Sequence, residues 1–159
     1  MATPSPLPHA GVRFPPPLVY LVGLVAGWLL HRWRPLPMTQ GASQGRVIGA
    51  AVCLLLWLAF AIGAFGTFRR ARTTFIPNRP ASALVTAGPY RLTRNPMYVS
   101  LVALYVGVTL LLNSWWPLVL LPLVVLVIDR AVIAREERYL TDAFPVDYPA
   151  YRARVRRWL

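Results

Sequence analysis

Two short segments hold most of the chemistry-bearing side chains in a chain with only five acidic residues. The first reads Gly88-Pro89-Tyr90-Arg91-Leu92-Thr93-Arg94-Asn95-Pro96-Met97-Tyr98. Gly-Pro is a turn signal. Asn95-Pro96 predicts a helix start, because an asparagine side chain can cap orphan amides and proline at the first helical position forfeits no hydrogen bond. A helix N-terminus beside Arg91 and Arg94 offers free N–H groups and positive potential, which suit a carboxylate or another anion. An interfacial turn whose arginines bind lipid phosphates would use the same residues.

The second segment reads Arg135-Glu136-Glu137-Arg138-Tyr139-Leu140, then Phe144-Pro145-Val146-Asp147-Tyr148-Pro149-Ala150-Tyr151. Neighbours on a helix diverge by about 100°. One of Glu136 and Glu137 is therefore expected to face inward, where it could bind an ammonium group, while the other meets solvent or an arginine. The plainer alternative is a solvated pair bridged to Arg130, Arg135 or Arg138, worth roughly 0–1 kcal/mol. Beyond Pro145, Tyr148, Tyr151, Val155 and Trp158 recur at three- and four-residue steps, with Arg152, Arg154, Arg156 and Arg157 between them. That spacing predicts an amphipathic terminal helix, either a membrane anchor or a lid. No metal site is expected.

These segments flank long apolar runs. The chain is 57% apolar with a mean hydropathy of +0.50, more than a soluble domain of 159 residues needs for its core. Four spans are expected: Pro15 to Leu30, Val47 to Phe68, Met97 to Leu112, and Trp115 to Ile128, the last two forming a hairpin about Asn113-Ser114. The net charge of +12 comes from seventeen arginines without a lysine. Because they lie between apolar runs, membrane lipids and topology account for them better than nucleic acid does. Fourteen arginines fall in the N-terminal tail, the loop between spans two and three, and the C-terminal segment, against three (Arg32, Arg34, Arg46) in the first loop. The positive-inside rule then puts both termini in the cytoplasm.

The proline-rich residues 1–14 read as a flexible tail and do not resemble a secretory signal peptide. Cys53, alone in an apolar run, reads as a small buried residue. Gly23-xxx-Gly27 and Gly45-xxx-Gly49 have the spacing that lets helix backbones approach closely. No Gly-x-Gly-x-x-Gly loop or strand–helix alternation points to a Rossmann domain.

Taken together, Thr73-Thr74-x-x-Pro77, Leu84-Val85-x-x-Gly88-Pro89-Tyr90-Arg91, Arg94-Asn95-Pro96-Met97-Tyr98, Glu136-Glu137-x-x-Leu140 and Tyr148-x-x-Tyr151-x-x-x-Val155 resemble the isoprenylcysteine carboxyl methyltransferase and phospholipid methyltransferase superfamily of integral membrane enzymes. The resemblance spans residues 73–159. Hydropathy and arginine placement predict an all-α integral membrane bundle of four transmembrane helices with a cytoplasmic C-terminal amphipathic helix, helices one and two in residues 15–72, and the resemblance implies a methyltransferase core in 73–159, one domain overall. The resemblance also implies S-adenosylmethionine as cofactor, S-adenosylhomocysteine as product, and a lipid or lipophilic acceptor, either an isoprenylcysteine-like carboxylate or a phospholipid amine. Arg94, Asn95, Pro96 and Tyr98 would line the cofactor pocket and Glu136 and Glu137 would meet the methionine ammonium. Tyr90, Tyr148 and Tyr151 would wall the pocket, and Arg94 and Glu137 would be catalytic. The chain departs from the family pattern at Asn95, where histidine is common, at Pro145, where glycine is common, and near Val132, where carboxyl methyltransferases carry an arginine for the substrate carboxylate, a place that Arg130 or Arg135 could fill. The arginine-only usage suggests a GC-rich bacterium and so an inner-membrane location. The competing class is a non-enzymatic bundle that binds anionic lipid or a protein partner through its arginine-rich face.

Overall fold

A computed structural model describes residues 14–71 and 83–159. The tail as far as Arg13 and the Thr73-Thr74 to Pro77 leader lie outside the described residues. Every regular element among the described residues is helical. Helix α1 (Pro16–Trp33) opens on proline and closes on His31 and Arg32, cations that suit the negative end of a helix dipole. Helix α2 (Gln44–Arg70) is capped by the Ser43 hydroxyl, which accepts from the Arg46 amide, and ends at Arg69-Arg70. A 3-10 turn (Gly88–Arg91) leads to α3 (Pro96–Leu111). Ser114 caps α4 (Trp115–Ile128), which runs through a π segment (Asp129–Ile133) into α5 (Ala134–Ala143). Helix α6 (Asp147–Arg154) follows.

Among the described residues two rods are long and apolar enough to cross a membrane: α2, with 27 residues, and the continuous Trp115–Ala143 rod, with 29. The most apolar stretch of α2 is only 11% buried inside the protein. Its exposed Leu55, Ile62 and Phe65 therefore need an apolar solvent, which lipid supplies. Helix α3 is apolar but shorter, at 16 residues. The long rod turns polar after Ile128, with Asp129, Arg130 and then Arg135 to Arg138, so α5 continues past the apolar stretch.

Helix α2 packs along α3, while α1 packs chiefly against α4. The Gly23-xxx-Gly27 pair makes the second contact possible. A Cβ on Gly27 would lie 2.6 Å from the Pro117 backbone, and one on Gly23 would collide with Val124. The second glycine pair does not pack in this way: nothing lies within 4 Å of a Cβ built on Gly45, and one on Gly49 would make an ordinary 3.4 Å contact with Leu110. Both sit in the first turns of α2, where its partner is ending. The close approach of α2 and α3 occurs instead at Gly107, beneath Cys53 and Leu54, and Cys53 is half-buried there. Asn113, in the left-handed region at φ 50°, turns α3 into α4, and its side-chain oxygen accepts from the Met38 and Thr39 amides at 3.1 Å.

The terminal helix is shorter than its periodicity predicts. It ends at Arg154, and Val155 adopts φ −122°, ψ 133°, so Trp158 belongs to an extended strap. The physical reason is competition for the backbone: the Arg156 carbonyl accepts from the Arg94 amide at 2.9 Å, and the Arg157 carbonyl accepts from the Thr93 hydroxyl and the Asn95 amide side chain, each at 2.9 Å. Those bonds fix the strap in a path that a further helical turn would not follow.

Candidate active site

The polar residues gather where α3 begins and α4 gives way to α5. Gly88, at φ 59°, adopts a conformation that favours glycine, and the following Pro89 seats the 3-10 turn on Gly63 of α2. Tyr90 is thereby buried. Its ring meets Phe68 edge-on at 5.5 Å, and its carbonyl accepts from the Tyr151 hydroxyl at 2.6 Å.

Helix α3 starts at Pro96, as its Asn95-Pro96 signal predicts, but Asn95 does not cap it with its side chain. The Asn95 amide N–H donates to the Thr93 hydroxyl at 3.1 Å, while its side chain is spent on the strap. A clasp of one hydroxyl and one side-chain amide on the Arg157 carbonyl has replaced the expected cap.

Arg94 is buried, with its NH2 3.2 Å from Glu137 Oε1. Its Nε and NH1 are buried without a partner among the described residues. Free N–H groups on a buried guanidinium are costly unless a ligand satisfies them. Arg157 approaches Glu137 from the other side: its Nε donates to Oε1 at 3.1 Å and its NH2 pairs with Oε2. The same guanidinium reaches Asp129 through NH1 at 3.1 and 3.2 Å, and the Trp158 indole N–H donates to Asp129 Oδ1 at 3.2 Å.

Glu136 has different company. Its Oε1 accepts from the Tyr98 hydroxyl at 2.8 Å, and among the described residues it forms no ion pair. Burial pushes its carboxyl up to about 7; the Tyr98 hydrogen bond opposes that shift and the neighbouring Glu137 charge adds to it. Tyr148 and Tyr151 are buried beside each other, ring centroids 6.2 Å apart. Burial raises Tyr148 to about 12; the Glu137 charge adds to this and Arg94, Arg152 and Arg157 oppose it. Both phenols are neutral walls at physiological pH.

All nine sequence-predicted residues (Tyr90, Arg94, Asn95, Pro96, Tyr98, Glu136, Glu137, Tyr148 and Tyr151) thus lie at one end of the molecule. Sequence reasoning missed Thr93, Asp129 and Trp158, and read Arg157 only as part of a basic stripe. Asp129 carried a signal: a carboxylate at the end of a long apolar run needs a partner. Val132 is fully buried in the core, and the Arg130 side chain is 78% exposed, so Arg130 does not take over the place of an inward arginine there.

Asp129 and Glu137 are matched by Arg94 and Arg157, while Glu136 beside them has no ion pair among the described residues. The unpaired N–H donors of Arg94 and the Glu136 carboxylate are complementary to the carboxylate and ammonium of a zwitterion such as S-adenosylmethionine. The residues present therefore fit that cofactor.

The sequence profile of the phospholipid methyltransferase family matches residues 45–146. The chain belongs to the phospholipid methyltransferase family. The matched region of this phospholipid methyltransferase family member runs from the start of α2 past α5 and includes Arg94 and both glutamates. A cobalt-zinc-cadmium resistance protein of Cupriavidus metallidurans is 35% identical over 81 residues, which cover 51% of this chain and 37% of that protein's length. An uncharacterized protein of Haemophilus influenzae is 40% identical over 63 residues, 40% of this chain and the whole of that protein. No solved structure matches significantly.

Proposed function

We propose that the protein transfers a methyl group from S-adenosylmethionine to a lipid-borne acceptor at the cytoplasmic surface of a bacterial inner membrane. The observation that carries this reading is the presence at one end of the molecule of Arg94, with two buried nitrogens unpaired among the described residues, and Glu136, a part-buried acid with no ion pair among them, in a member of the phospholipid methyltransferase family. Arg94 would hold the cofactor's carboxylate and Glu136 its ammonium, with Tyr98 orienting the Glu136 carboxylate. Glu137 supports Arg94 instead of meeting the ammonium itself, because both its oxygens are committed to arginines.

The cofactor supplies a methyl group already activated on a sulfonium. The protein's part is to align donor and acceptor and exclude water. Tyr90, Tyr148 and Tyr151 contribute neutral aromatic walls, whose faces favour a nearby cation. An apolar Val132 where carboxyl methyltransferases place an arginine favours a phospholipid amine over a carboxylate as acceptor. In this reading α1 to α4 are four spans with both termini cytoplasmic, in keeping with the arginine asymmetry.

The test is equilibrium binding of S-adenosylhomocysteine to purified protein in lipid nanodiscs. Arg94→Ala and Glu136→Gln should each weaken binding at least tenfold while the protein stays monodisperse. Absence of binding by the unaltered protein at millimolar ligand would overturn the proposal.

A further inference from the structure

The C-terminal strap lies beyond the region that the family profile covers, yet its backbone and side chains are held by polar contacts to the turn before α3 and to the long rod. Backbone carbonyls of Arg156 and Arg157 are held by the turn that carries Arg94 and Asn95. The Arg157 side chain then crosses to the long rod and inserts between Asp129 and Glu137.

The rod's π segment is what makes that insertion possible. Residues eight apart on an ideal α-helix diverge by about 80°, at roughly 100° per residue. A π segment takes up one extra residue, so Asp129 and Glu137 come close to the register of an i, i+7 pair and present their carboxylates to one guanidinium. A carboxylate has about four lone-pair sites, and Glu137 uses three: Arg94 NH2, Arg157 Nε and Arg157 NH2. Arg94 spends only NH2 on that contact, so its Nε and NH1 stay unpaired.

We infer that Arg157 is a positioning residue for the cofactor site: it locks the Glu137 carboxylate so that Glu137 holds Arg94 by one nitrogen only and leaves Glu136 as the acid open to a cation. Without Arg157, Glu137 can rotate to take Arg94 in both nitrogens or compete with Glu136 for the ammonium. Either change removes a ligand contact without touching the ligand. The inference rests on the cofactor reading above for what the site binds, and on the ion network alone for how Arg157, Glu137 and Arg94 are coupled.

The experiment measures S-adenosylhomocysteine affinity and unfolding temperature in nanodiscs for the unaltered protein, Arg157→Gln, Arg157→Lys, Glu137→Gln and the Arg157→Gln/Glu137→Gln double variant. Arg154→Gln, an exposed arginine on α6, is the control. Arg157→Gln should weaken binding about tenfold or more and Arg157→Lys less, because an ammonium reaches one acid but cannot bridge two in a plane. The double variant should bind no worse than the weaker single one, since both break the same contact. Native affinity in Arg157→Gln, or losses that add in full, would overturn the inference. Should Arg157→Gln not fold, Asp129→Asn loosens the guanidinium from one side and should still weaken binding; unchanged affinity there overturns it. If the unaltered protein binds no ligand, the cofactor reading fails. The coupling is then read from the unfolding temperatures, where additive losses of Arg157→Gln and Glu137→Gln overturn it.

Discussion

Glu136 and Glu137 are neighbours in sequence with opposite circumstances in space. Glu137 is neutralised by two arginines, whereas Glu136 has a phenol and, among the described residues, no cation. A carboxyl whose proton affinity in the folded protein is raised to about 7 stabilises the fold most below its ordinary range, and that contribution is lost as pH rises through 7. Ligand binding runs the other way, because an ammonium needs the ionised form. From pH 6 to pH 8 the ionised fraction of such a group rises about tenfold. Affinity for S-adenosylhomocysteine should therefore rise by about that factor over this interval, and Glu136→Gln should bind weakly with a flat profile. Isothermal titration at the two pH values reads this directly; a pH dependence that survives in Glu136→Gln would move the titrating group elsewhere. From sequence, the roughly 100° between neighbouring residues showed that the two glutamates must differ, but it could not say which faced a cation. The deciding arginine comes from a strap twenty residues downstream.

Among the helices, starts were readable and ends less so. Asn95-Pro96 is a local start signal and Asn113-Ser114 a polar turn, and α3 and α4 begin where these predict. The C-terminal strap carries a helical repeat through Trp158, yet tertiary bonds to its carbonyls override that repeat after Arg154. The π segment left no mark in the sequence pattern, because it falls at Asp129–Ile133, where the apolar run gives way to charged residues and no single period spans the junction. The two small-residue pairs show the same limit: spacing alone cannot tell which pair meets a neighbour. Gly27→Val should be the costly change, since Pro117 backbone occupies the added volume and overpacking of this kind costs about 1–3 kcal/mol. Gly45→Ala should be close to neutral or mildly stabilising, with open space around it. Thermal unfolding of the two variants in nanodiscs checks the contrast. Equal losses would contradict the α1–α4 contact.

Across the whole molecule, the apolar rods and the arginine distribution were legible from composition, as was the gathering of two distant segments at one end. The hairpin of α3 and α4 obliges those segments to meet. What composition could not show is that two acids are cancelled by two arginines there, so that among the described residues Glu136 is left without a cation and Arg94 with unpaired nitrogens. That residual polarity is what a cofactor with a carboxylate, an ammonium and a sulfonium would complete, and lipid on the exposed flank of α2 is where an acceptor would come from. The decisive measurement is methyl transfer by the purified protein in nanodiscs, with tritiated S-adenosylmethionine and either a phosphatidylethanolamine-containing or a phosphatidylglycerol-only bilayer. Label should enter the organic-extractable lipid of the amine-containing bilayer, and Arg94→Ala and Glu136→Gln should reduce it at least tenfold. Failure to label any lipid in bilayers containing the amine, from protein that remains folded, would contradict the proposed phospholipid-amine acceptor.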